Sequence, residues 1–211
     1  MFHFDLSTII YRGIGVVLAL GIHEAAHAIV SFIMGDPTAK EKGRITLNPL
    51  AHIDWVGLAF MLLFGIGWAK PVPIDPYYYK DRKTGIVWTA FAGPIANFLL
   101  SFVCVFLYFF TFRLLYGIAL IGPFIQNVLS FTATISASIG IFNLIPIPPL
   151  DGSKVLFAIL PDDLYYRAIQ ENNIWVIILM ALIVTGVIGH PISLLTGNLI
   201  SIFSNFCMMF I

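Results

Sequence analysis

Residues 15–35 read GVVLALGIHEAAHAIVSFIMG. The stretch is long and apolar enough for a membrane-spanning helix, which needs about 20 mostly apolar residues. Yet His23, Glu24 and His27 sit in its middle. A charge at the bilayer centre costs about 2.5–3.5 kcal/mol even on the mildest scale, so such a cluster needs a compensating reason. A helix supplies one. His23 and His27 are one turn apart, so both imidazoles face the same way, about 6 Å apart along the axis. Two nitrogens on one face can bind one zinc ion. Glu24 lies about 100° round from His23, off the metal yet within reach of a metal-bound water. This is the H-E-x-x-H arrangement of two ligands and a general base. A chance occurrence is expected in roughly one chain in a hundred or fewer at this length, and more rarely still where charge is depleted.

The rest of the chain agrees with a membrane setting. It has 211 residues, of which 59% are hydrophobic and only 10% charged. An average soluble protein is roughly 25% charged. The mean hydropathy is +0.94. A soluble globule of this size could not hide so much apolar surface. The formal net charge is zero and no basic stripe exists to neutralise phosphates, which excludes a nucleic-acid binder. Unbroken apolar runs favour helices over a β-barrel, whose strands would alternate. The expected fold is therefore an all-α polytopic membrane protein of five to six transmembrane helices. The runs fall at about 9–34, 85–111, 124–148, 173–189 and 192–210. A shorter run at 55–68, WVGLAFMLLFGIGW, suits a re-entrant or interfacial segment better than a span. The first run is too long for a cleavable signal peptide and carries charge in its middle. No internal repeat stands out, and 1–211 reads as one integral-membrane domain, with a core at about 9–155 and a C-terminal helical hairpin at about 172–211. Cys104 and Cys207 lie inside apolar runs and read as buried hydrophobes.

Lys and Arg set the expected orientation. If 55–68 dips in and returns, nine of the eleven share one side, and only Arg12 and Arg113 lie opposite. If it spans, the split is seven against four. The positive-inside rule favours the first, with the nine in the cytoplasm, the amino terminus outside and the carboxyl terminus inside.

A catalytic zinc takes three protein ligands and keeps an open position. Residues 143–152 read NLIPIPPLDG, and Asp151 follows this proline-broken stretch at the cytoplasmic end of the fourth span. His23 and His27 lie in the cytoplasmic half of theirs, so the depths agree. Alone, Asp151 reads equally well as a helix N-cap before KVLFAIL. Beside HEAAH, the ligand reading is favoured.

These residues carry a family likeness. The chain resembles the site-2 protease family of intramembrane zinc metalloproteases, in its small core-only prokaryotic form. The matching pieces are HEAAH (23–27), GRITLNPLAHID (43–54), GWAKPVPID (67–75), AGPIAN (92–97) and NLIPIPPLDG (143–152), in the family's order. The resemblance implies cleavage of a peptide bond in or near a transmembrane segment of a membrane-protein substrate. It implies one Zn²⁺ per chain, with His23, His27 and Asp151 as ligands and Glu24 as the base that activates water and then protonates the leaving amine. Neutral imidazoles, two carboxylates and Zn²⁺ roughly cancel in charge, so such a cluster can exist in a membrane. The implied location is a prokaryotic inner membrane with the site toward the cytoplasm. Substrate segments and lipids are the implied partners, and the oligomeric state is open.

Three further polar residues are candidates for substrate binding or for support of the ligands: Asn97, Asn143 and His52. Asn97 and Asn143 read either as site residues bonding substrate or as helix–helix hydrogen bonds, worth on average about 0.6 kcal/mol. His52 reads as a gating or supporting residue, or as a solvent-facing interfacial histidine. Pro146, Pro148 and Pro149 break the fourth span and free carbonyls beside the site. Gly43–Leu47 alternates polar and apolar residues and resembles the family's membrane-associated β-segment, whose edge would hold an unwound substrate. His190 marks the turn between the last two spans, and His3 is terminal. Tyr77, Tyr78 and Tyr79 beside Lys80, Arg82 and Lys83 suit an aromatic, headgroup-binding belt. The alternative is a non-enzymatic membrane metal-ion transporter or binding protein. Such proteins usually carry several sites and often repeats, whereas this sequence offers one cluster.

Overall fold

Lipid offers the backbone no hydrogen-bonding partner, so apolar runs close their own bonds as helices. A computed structural model describes residues 6–64, 67–115, 121–158, 160–161 and 172–210. The helices are α1 (Leu6–Met34), α2 (Thr38–Glu41), α3 (Trp55–Phe64), α4 (Arg82–Leu114), α5 (Ile121–Asn143), α6 (Asp151–Ala158), α7 (Asn172–Val184) and α8 (Gly189–Met208). Among the described residues four are long and apolar enough to cross a membrane: Thr8–Met34 of α1, and α4, α5 and α8. The expectation of five to six spans therefore meets four. Over the 173–189 run the helix is α7, with 13 residues, and turns follow it before α8. At about 1.5 Å per residue it covers about 20 Å, short of a hydrocarbon core of about 30 Å.

Helices α1, α4 and α5 pack on one another, and α8 covers α4 and α5. Water drives nothing together inside lipid, so the contact faces carry small residues that let backbones approach. Ala19, Ala25, Ala28, Ala90, Ala92, Ala133 and Ala137 are buried. Leu99, Val103, Phe106 and Phe110 of α4 point outward, toward where acyl chains would lie. Asp81 starts α4 by accepting from the Lys83 and Thr84 amides. After α5, the proline-rich segment holds a cis Pro148–Pro149 bond and leads into α6.

The 55–68 run forms the ten-residue α3. Its length is about 15 Å, half a hydrocarbon core. The chain then comes back to where it left. Lys70 N donates to the His52 carbonyl at 3.0 Å, and the Trp68 ring packs 5.7 Å from that of Phe60. A Cβ on Gly57 would lie 3.0 Å from the Trp68 carbonyl carbon, so only glycine admits the returning strand of chain there.

The β-segment expected at Gly43–Leu47 does not form. No strand occurs among the described residues, and this stretch is irregular. A strand needs a neighbour to complete its ladder. Here the side chains hold the segment instead: Arg44 is buried, and Ile45 packs on the cluster of Ala28, Ala39 and Val72.

Candidate metal centre

Helix periodicity puts His23 and His27 on the face of α1 that meets α4, and both are buried. The first residue of α6, Asp151, brings its carboxylate to them across the bundle. Asp151 Oδ2 lies 3.1 Å from His23 Nε2 and 3.0 Å from His27 Nε2. The two Nε2 atoms are 3.0 Å apart. The three atoms make a nearly equilateral triangle. Tetrahedral ligands about 2.0–2.1 Å from zinc would be separated by about 3.3 Å. A few tenths of an ångström of outward movement turns the triangle into one face of a zinc tetrahedron, so the donor set fits the ion. Among the described residues it is the one group of three histidine, cysteine or acidic side chains with that convergence.

The outer contacts fix the rings. His27 Nδ1–H donates to the Thr89 carbonyl at 2.7 Å, which leaves Nε2 with its lone pair facing the triangle. His23 Nδ1 lies 3.2 Å from Asn97 Nδ2, and the fully buried Asn97 leaves Oδ1 without a partner. Turned end for end, the Asn97 amide accepts from His23 Nδ1–H and frees Nε2 as a ligand. Asp151 Oδ1 accepts from Lys154 Nζ at 2.8 Å, one helical turn on, which leaves Oδ2 alone facing the histidines. A Cβ on Gly93 would lie 2.5 Å from His23 Cε1 and 2.6 Å from His27 Nε2. Only glycine lets α4 come this close.

Glu24 is half-buried, and its Oε2 accepts from Val72 N at 2.9 Å. His52 stands outside the triangle. Its Nε2–H donates to the Thr46 carbonyl at 3.1 Å, and its Nδ1 accepts from Arg44 Nη2 at 3.2 Å. Both ring nitrogens are occupied by protein. Burial and the Arg44 charge hold this imidazole below its ordinary pKa, against the Thr46 contact. Asn143 donates to the Ile139 carbonyl of its own helix at 3.0 Å. Asn97 is thus brought to the cluster, while Asn143 spends its amide locally. His190 lies in the first turn of α8 and is not part of the trio, and His3 lies outside the described residues.

The residues that sequence reading passed over as site residues are Thr89, Gly93, Lys154, Val72 and Arg44. Lys154 was readable from its i+3 spacing to Asp151. Gly93 lies within the quoted AGPIAN, but its closeness to the imidazoles is a tertiary fact. Thr89 and Val72 act through the backbone, which leaves no signature in residue type.

Two histidines on a membrane-length helix and an aspartate at the start of a short one, converging with a glutamate next in sequence to the first histidine, form the residue set of a metalloprotease centre. Comparison with known proteins agrees. The family model described as peptidase family M50 matches residues 115–186. Three relatives carry the name "Putative zinc metalloprotease" with a further designation. YwhC of Bacillus subtilis is 32% identical over 186 residues, 87% of this chain and 84% of its own length. Rip2 of Mycolicibacterium smegmatis is 30% identical over 148 residues, 67% of this chain and 54% of its own. MJ0611 of Methanocaldococcus jannaschii is 36% identical over 107 residues, 48% of this chain and 49% of its own. No solved structure matches. The chain belongs to peptidase family M50, the site-2 protease family.

Proposed function

We propose that this protein is an intramembrane zinc endopeptidase that cuts peptide bonds in or near transmembrane segments of membrane-protein substrates. The carrying observation is the convergence of His23, His27 and Asp151 on one point, next in sequence to Glu24. His23 Nε2, His27 Nε2 and Asp151 Oδ2 would hold one zinc ion per chain, and the whole of 1–211 works as one domain. When bound, the ion supplies Lewis acidity to the scissile carbonyl and to the attacking water. The chain does the rest. Glu24 takes the proton of the attacking water on its carboxylate and delivers it to the leaving amine. Thr89 and Asn97 hold the two imidazoles in the ligating tautomer, and Lys154 keeps Asp151 pointing with one oxygen. The buried helices exclude bulk water from the cluster.

The site would face the cytoplasm from within a prokaryotic inner membrane. Support comes from the return of the 55–68 excursion to its starting point, which keeps Lys40, Lys42 and Arg44 on the same side as Lys70 and Lys80. A transporter reading would want a series of sites, and the described residues offer one.

Glu24→Gln keeps the ligands and removes the base. In purified protein it should retain zinc and lose cleavage of a model single-span substrate by at least about 10²-fold. Asp151→Ala should lose zinc. Wild-type cleavage by the first variant, or full zinc content in the second, removes the corresponding role.

A further inference from the structure

The segment Trp68–Asp75 runs past Glu24 as a strap, and its hydrogen bonds are unusual in origin. Pro71 and Pro73 have no N–H, so Val72 carries the one backbone donor between Lys70 and Ile74. That donor goes to Glu24 Oε2 at 2.9 Å. The two carbonyls that precede it in the chain are held by one side chain. Arg44 Nη2 donates to the Lys70 carbonyl at 2.7 Å, and Nη1 donates to the Pro71 carbonyl at 3.1 Å. The strap's far end is tied too, because Asp75 N donates to the buried Asp36 at 2.8 Å.

Arg44 is only 8% exposed, and no carboxylate pairs with it among the described residues. A buried guanidinium without a counter-charge is costly. Its planar fork instead grips two successive carbonyls, a fixed geometry that a flexible ammonium does not reproduce. The local fold aims it there. Gly43 adopts φ +64°, and Arg44 N then bonds back to the Ala39 carbonyl at 2.8 Å. This left-handed cap ends α2 and turns the arginine inward under the strap.

We propose that Arg44 is a positioning residue of the peptidase: by fixing the Lys70 and Pro71 carbonyls it presents the Val72 amide to Glu24 and so sets the direction of that carboxylate. The proposal rests on the reading of Glu24 as the proton-transfer group for its catalytic consequence. Its structural part does not. A base held by one oxygen keeps the other free in a single orientation, whereas a released side chain samples several rotamers. Misplacement of a catalytic group by about 1 Å can cost about 10²-fold in rate.

The test uses the full zinc-loaded chain in lipid nanodiscs. Hydrogen–deuterium exchange should find the Val72 amide protected in the wild type. In Arg44→Gln it should exchange about 10-fold faster or more. The same variant should keep its zinc, lose about 10–100-fold in kcat against a model transmembrane substrate, and change KM by no more than about twofold. Val72→Pro removes the donor, together with the buried valine side chain, and should reproduce the kcat loss. The double variant should be no slower than the slower single, because both act through one hydrogen bond. A wild-type Val72 amide exchanging at the rate of an unstructured peptide overturns the proposal, and so does an Arg44→Gln protein with unchanged kcat. Should Glu24→Gln cleave normally, the base reading falls, while exchange at Val72 still decides whether Arg44 sets the strap.

Discussion

At Gly93 two opposing effects of one methyl group can be weighed. In a helix interior alanine is favoured over glycine by about 1 kcal/mol. Here the added Cβ would sit 2.5–2.7 Å from atoms of both imidazoles. Overpacking of a close-packed site costs about 1–3 kcal/mol, so the clash wins. Gly93→Ala should therefore push His23 and His27 off the triangle. Zinc affinity should drop by about 10-fold or more, read as metal per chain after dialysis against a graded chelator, and cleavage should fall with it. A fully loaded and active variant would mean that α4 is free to retreat. That His23 and His27 share one helix face was legible before any coordinates, because ionisable side chains are rare in apolar runs and the i, i+4 spacing is a local quantity. The long-range partners were not. The Asn97 amide reads identically whether it faces an imidazole, a substrate or a neighbouring helix, and only its place across from His23 decides.

At the level of elements, the short pieces between α1 and α4 carry more of the site's geometry than their length predicts. Alternation in Gly43–Leu47 suggests a β-segment, which the structure does not form. An alternating pattern does not by itself form a ladder, and here two successive side chains turn inward: Arg44, which bonds loop carbonyls, and Ile45, which packs on Ala28, Ala39 and Val72. His52 is the pivot of this layer. It accepts from Arg44 and donates to Thr46, so it has to be neutral, with its proton on Nε2. Burial and Arg44 lower its folded pKa, Glu24 and the Thr46 carbonyl oppose them, and the net direction is down. The sign follows. An unfolded chain takes up the histidine proton near pH 6.5, whereas the folded one resists. Stability is therefore unaffected above that pH and falls as pH drops from about 6.5 toward the lowered folded value. Protonation also sets a second positive charge against Arg44 and loosens the strap. His52→Gln cannot titrate. Its melting temperature should be lower than wild type at pH 8 and should lose less between pH 7 and pH 5. An equally steep fall in both proteins would place the acid-sensitive group elsewhere.

On the scale of the whole molecule, polarity is gathered at one end. Asp36, Arg44, His52, Asp75 and Tyr79 follow the end of α1 or precede the start of α4, and Lys83 Nζ donates to the Leu160 carbonyl beyond α6. The triangle itself is reached from that end, because Asp151 opens α6 just after the proline break. A chain built this way buries its charged network under one membrane face and leaves α4, about 50 Å long at 1.5 Å per residue, to carry the fold to the other. Hydropathy made the long helices legible, since length and apolarity are local quantities. It could not decide the path of residues 53–69, because a ten-residue apolar helix is compatible with several depths. The bond from Lys70 to the His52 carbonyl closes that excursion. Single cysteines in a Cys104→Ala, Cys207→Ala background can test the consequence in intact cells with a membrane-impermeant maleimide. Lys40→Cys, Lys70→Cys and Lys80→Cys should all be shielded from outside and react once the inner face is opened. Arg113→Cys should react from outside at once. If Lys40→Cys and Lys80→Cys instead label from opposite faces, residues 53–69 cross the bilayer. The charged layer around Arg44 would then be divided by lipid, and a strap running from Lys70 to Glu24 could not be held by an arginine on the far side.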